Sequence, residues 1–103
     1  MTQYYNDLLR GLGTGVSVAV TDAGSTKLAA LAKHQVYIIS TTAANGVHVK
    51  VGPQASVAAA VTDHLLTPDA PIEVETTATN NAVAGIVPSG GAAGVLTATP
   101  RRT

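Results

Sequence analysis

The run Gly46-Val47-His48-Val49-Lys50-Val51-Gly52-Pro53 sets a valine at every second position between two turn signals. Successive side chains on a β-strand point to opposite faces, so this spacing makes one apolar face and leaves His48 and Lys50 on the other. The same pattern returns in Val16-Ser17-Val18-Ala19-Val20, Val36-Tyr37-Ile38-Ile39, Ile72-Glu73-Val74-Glu75-Thr76 and Val95-Leu96-Thr97-Ala98-Thr99, each flanked by turn-forming residues. The chain therefore reads as all-β. About seven to eight short strands at roughly ten-residue spacing point to a small antiparallel two-sheet β-sandwich of jelly-roll type. Residues 16–103 form its single domain, preceded by an N-terminal arm over residues 1–15.

The material for its core is unusual. The 103 residues contain no Phe, no Trp and three Tyr, two of them at Tyr4 and Tyr5. A chain of this length buries roughly 65% of its unfolded surface, but small aliphatic side chains gain less per residue than the 150–250 Å² of a large aromatic. The isolated domain is expected to be marginal, and small domains of this kind offset their ordering entropy with a disulfide, a metal or a partner. Cysteine is absent, which closes the first route and is compatible with a reducing cytosol. His34, His48 and His64 stand about 14 and 16 residues apart, without the short pair that a zinc site uses, so no metal or other cofactor is expected. Association is the remaining supplement.

Charge narrows the partner. A formal net charge of zero with 12% charged residues lacks the clustered basic surface of a nucleic-acid binder, so the expected partner is protein. No run of about 18 apolar residues is present to span a membrane, and Asn6-Asp7 interrupts the place where an export signal would need continuous apolar character.

Along the chain, Tyr4, Tyr5, Leu8, Leu9 and Leu12 fall near helical spacing before Gly11, Gly13 and Gly15 break it. Concentrated aromatic contact area beside a glycine hinge suits an anchoring arm, against the alternative of a frayed terminus. Residues 26–33 are open between a short helix and an extended link. Residues 55–64 have helix-compatible spacing but are better taken as a loop leading to a short strand ending at His64-Leu65-Leu66. Asn45-Gly46 is a hairpin signal and predicts that residues 36–51 form one antiparallel pair.

No catalytic set is expected. Asp63-His64 near Ser56 lacks a nucleophile elbow, and neighbouring strand residues face opposite ways. Gly11-Leu12-Gly13-Thr14-Gly15 precedes a strand and has no phosphate-loop lysine, so it reads as a hinge. Glu73 and Glu75 share a strand face at a separation of about 7 Å, a spacing two acid-base carboxylates could use, but they read as solvated surface charges, which are far commoner on a strand face. His48 and Lys50 against Glu73 and Glu75 could pair between identical subunits. Arg101 and Arg102 close the set of candidate contact residues, as a grip on an acidic surface or as a solubilising tail.

Val36-Tyr37-Ile38-Ile39 with Thr41-Thr42, Val47 to Gly52-Pro53, Leu65-Leu66-Thr67-Pro68, Pro71-Ile72-Glu73-Val74 and the closing Gly94-Val95-Leu96-Thr97-Ala98-Thr99 together resemble the small β-sandwich proteins of tailed bacteriophages that decorate or cement the head. The resemblance covers roughly residues 16–99 and lies in size, Ala/Val/Thr/Gly richness and lack of cysteine, with no single diagnostic motif. It implies a virion structural protein made in the host cytoplasm, without enzymatic activity. Such a protein binds the outer surface of the capsid as a homodimer or homotrimer, with the major capsid protein as partner, and stabilises contacts between capsomers. The N-terminal arm is not part of the resemblance. A tail or fibre component of the same particles, or a carbohydrate-binding sandwich, are the alternatives; the latter needs an exposed aromatic platform, and Tyr37 is the only aromatic residue of the body.

Overall fold

The structure is a computed structural model, and it describes residues 15–28 and 31–101. Eight strands follow one another: β1 (Val16–Val20), β2 (Thr26–Leu28), β3 (Val36–Thr41), β4 (Val47–Gly52), β5 (His64–Leu66), β6 (Ile72–Glu75), β7 (Ala82–Ile86) and β8 (Gly94–Pro100). They build two four-stranded sheets, ordered β1-β8-β3-β6 and β2-β7-β4-β5. No helix occurs among the described residues. Residues 26–28 are extended, and 55–63 is a loop leading into β5.

The pairing has a simple rule. β1 pairs with β8, β2 with β7, β3 with β6 and β4 with β5, all antiparallel. The first half of the chain thus lies against the second as one long antiparallel ribbon, doubled back at the β4–β5 connection. Two further pairings, β3 with β8 and β4 with β7, roll that ribbon into a sandwich. Eight strands connected this way are a jelly roll.

The hairpin expected across residues 36–51 does not form. β3 and β4 lie in different sheets, so Tyr37 and Ile39 meet Val47 and Val49 across the core and not along a ladder. The local turn is present, with the Gly46 N–H donating to the Ala43 carbonyl at 2.9 Å. A tight two-residue hairpin of type I′ needs positive φ at both central residues, and here only Gly46 has it, at +85°. Asn45 instead accepts the Ala92 N–H on its side-chain oxygen. Before the turn the chain is held to β8. The Thr42 N–H donates to the Val95 carbonyl at 3.0 Å, the Val95 N–H donates to the Thr42 hydroxyl at 3.0 Å, and the Thr41 hydroxyl donates to the Val95 carbonyl at 2.9 Å. The turn therefore carries the chain from one sheet to the other.

Alternation fixes which residues face inward. Val20, Ile39, Val47, Leu66, Val83, Val87 and Leu96 are fully buried between the sheets. At the centre there is no room for a side chain on Gly85, where a Cβ would lie 2.8 Å from Val47 Cγ1 and 2.9 Å from Leu96 Cδ2. One strand escapes the pattern: Ala82, Val83 and Ala84 of β7 are all buried, so both of its faces are covered. The outer cover is the β4–β5 loop, whose Val57 and Ala59 pack on Ala82 and Ala84 as a second small cluster flanked by Ile86. This strap is tied to β2 by the Ala59 N–H on the Ser25 hydroxyl and by Lys27 Nζ donating to the Gln54 carbonyl.

Candidate interaction surfaces

The two outer faces of the sandwich differ in chemistry. Cross-strand register aligns Ser17 with Thr97 and Thr97 with Ser40 on the outside of the first sheet. The next rows align Ala19 with Val95, and Thr99 with Ile38. Inward-facing Val20, Leu96, Ala98 and Ile39 alternate with these positions, which fixes them as outward. The result is a pleated surface of small aliphatic and hydroxyl side chains with no charge over β1, β8 and the centre of β3. Among the described residues, charge enters it along one margin, through Glu73 and Glu75 on β6 and Arg101 just after β8.

Arg101 is tied to the body. Its N–H donates to the Val36 carbonyl at 2.8 Å, its own carbonyl accepts Gln35 Nε2 at 2.6 Å, and its guanidinium meets Glu73 at 2.7 Å. Both partners of that ion pair are 54% exposed, so the pair fixes geometry more than it adds stability.

His48 and Lys50 lie on the outside of the second sheet. His48 aligns with Ile86 on one side and Leu65 on the other, and Lys50 with Ala84. His48 Nδ1 lies 3.0 Å from the Asp63 carbonyl. A carbonyl oxygen only accepts, so Nδ1 carries the proton and, in the neutral ring, Nε2 is left as an acceptor. The Asp63 carboxylate accepts the Ala60 N–H at 2.8 Å, which is a loop-closing contact. The acidic pair Glu73/Glu75 and the basic pair His48/Lys50 consequently occupy opposite outer faces of the sandwich. A contact joining them between subunits would have to stack the outside of one sheet on the outside of the other.

Tyr4, Tyr5, Leu8, Leu9, Leu12 and Arg102 lie outside the described residues. Tyr37 is buried at 5% exposure, and its hydroxyl accepts the Ala32 N–H at 2.8 Å, so it presents no face for a sugar ring. No group of three or more His, Asp or Glu suited to a metal ion occurs among the described residues.

Comparison with known proteins returned no match to a family model, a curated protein or a solved structure.

Proposed function

We propose that this chain is a virion structural protein that binds the outer surface of a phage capsid and stabilises contacts between capsomers. The observation that carries this reading is the uncharged outer face over β1, β8 and β3, lined by Ser17, Ala19, Val95, Thr97 and Ser40. A surface of short side chains with little rotamer entropy to lose suits docking on another protein. The sandwich beneath it is built almost wholly of Val, Ala, Leu and Ile, so modest contacts repeated over a lattice supply avidity that one subunit alone would lack. The buried Tyr37 weighs against sugar binding.

The test is co-sedimentation of the purified chain with capsids prepared without it, followed by counting copies per particle by quantitative mass spectrometry. Hundreds of copies on the head are expected. A dozen or fewer would place the protein on the tail, and none would overturn the reading. Replacing Thr97, on the uncharged face, by Lys should abolish binding while the melting temperature stays within a few degrees.

A further inference from the structure

A two-sheet sandwich has four edge strands, here β1 and β6 of one sheet and β2 and β5 of the other. Unpaired edge groups invite strand addition, and proteins blunt them with short length, charge or proline. Three of these edges are blunted in that way. β2 and β5 are three residues long, β2 with Lys27 at its centre, and β6 follows Pro71 and carries Glu73 and Glu75. β1 has none of these devices: Val16-Ser17-Val18-Ala19-Val20 is five residues long, uncharged and free of proline.

Its hydrogen-bonding direction follows from its neighbour. Val95 directs both its N–H and its carbonyl toward Thr42, away from β1, so the aligned pair Ala19–Val95 is not a hydrogen-bonded one. The alternation of an antiparallel ladder then turns the peptide groups of Ser17 and Ala19 to the open side. The Thr26 hydroxyl confirms the direction by donating to the Ala19 carbonyl at 3.1 Å, which leaves that oxygen a second lone pair. Beside this edge runs a groove of about 400 Å³, from Val18 past Ser25, Thr26 and Lys27 to Val57 and Ala58. Val18 faces inward like Val20, yet it is only half-buried, because nothing among the described residues closes the sandwich beyond it.

We propose that the open edge of β1 pairs with β1 of a second copy of this chain, antiparallel about a two-fold axis at Val18, joining two four-stranded sheets into one of eight. The strand is complementary to itself in that arrangement. Ser17 of one copy lies opposite Ala19 of the other, both with peptide groups aimed across the gap, and Val16 lies opposite Val20 on the inner side. No charge opposes another, and the inner valines extend over the groove beside Val18. The pairing is a property of the chain alone and stands whether or not the capsid reading holds, since it is measured without any shell.

Sedimentation equilibrium of the full chain should show a dimer. Ser17→Pro removes a donor that faces the open side and leaves the β8 ladder intact, so it should weaken dimerisation at least tenfold while the thermal transition and β-sheet circular dichroism persist. Val18→Cys places the chain's only thiol on the two-fold, at a non-hydrogen-bonded pair with Cα atoms about 4.5 Å apart. Mild oxidation should convert most of that variant to a covalent dimer, and Thr97→Cys, away from the edge, should stay monomeric on a denaturing gel. A wild-type monomer at all concentrations would overturn the proposal, including the case in which residues 1–14 or another protein's strand cover the edge. So would an oligomer that Ser17→Pro leaves unchanged and Val18→Cys fails to cross-link.

Discussion

Thr76 and Gln35 hold each other through a pair of reciprocal hydrogen bonds: the Thr76 N–H donates to the Gln35 carbonyl at 2.9 Å, and the Gln35 N–H donates to the Thr76 hydroxyl at 3.0 Å. The same hydroxyl donates its proton to the Ala32 carbonyl at 2.5 Å. Thr76 is fully buried just after β6, so a polar side chain in the interior fixes the entry into β3. Replacing it by Val keeps the shape and leaves the Gln35 N–H and Ala32 carbonyl without that partner. The expected loss is about 1–3 kcal/mol, read from urea denaturation, with Thr76→Ser retaining the bonds and losing less.

Gly85 and Gly90 should respond differently to the same substitution. A methyl at Gly85 meets Val47 and Leu96 inside 3 Å, both well-packed core side chains, so Gly85→Ala should cost about 1–3 kcal/mol through overpacking. Gly90 has φ at +78° and nothing within 4 Å, so Gly90→Ala meets only backbone strain of about 1–2 kcal/mol. Combining each with a shortening of Leu96, a neighbour of Gly85 and not of Gly90, separates the causes. Leu96→Val should partly rescue Gly85→Ala and should add its own cost to Gly90→Ala, as differential scanning calorimetry will report.

The Arg101–Glu73 pair is open to solvent, so Arg101→Ala should change stability by no more than about 1 kcal/mol, and the change should shrink further in 1 M salt. A loss that persisted in high salt would assign the stabilisation to the Arg101 backbone bonds with Val36 and Gln35.

Val57 is the main apolar contact between the β4–β5 strap and the sheet beneath it, lying against Gly52 and β7. Val57→Ala should cost about 1 kcal/mol, at the lower end for a buried aliphatic truncation because the site lies near the surface. Its clearer sign should be faster amide exchange at Val57 and Ala59 with the central strands β7 and β8 unaffected, the signature of local opening.

His48 should carry its proton on Nδ1 when neutral, because its partner is the Asp63 carbonyl. Nitrogen-15 chemical shifts of the ring measure this directly. An Nε2-protonated ring would mean that the contact between β4 and the strap is absent in solution.

The candidate surfaces were legible to unequal degrees. His48, Lys50, Glu73 and Glu75 were found as outward residues because alternation alone decides which face a strand side chain takes. The engagement of Arg101 was not legible, since it depends on the C-terminal end of β8 lying beside β3, whose outward face borders Glu73. Ser17 and Ala19 are not legible as contact residues in the uncharged Val16–Val20 run, because a strand becomes an edge only through the placement of its neighbours.

The sequence by itself determined the alternating strands and which of their side chains turn inward, because the two-residue period of Val47, Val49 and Val51 or of Ile72 and Val74 is a local property of an extended backbone, whereas Thr26–Leu28 and the doubly covered Ala82–Ile86 lack that period. It could not determine partners. Whether Val36–Thr41 pairs with its neighbour in sequence or with Gly94–Pro100 is decided by hydrogen bonds between distant segments. The Asn45-Gly46 signal carried no information about them. Only the tertiary structure turned that signal from a hairpin into a crossing between sheets, with Thr41 and Thr42 fastened to Val95 and a single residue at positive φ.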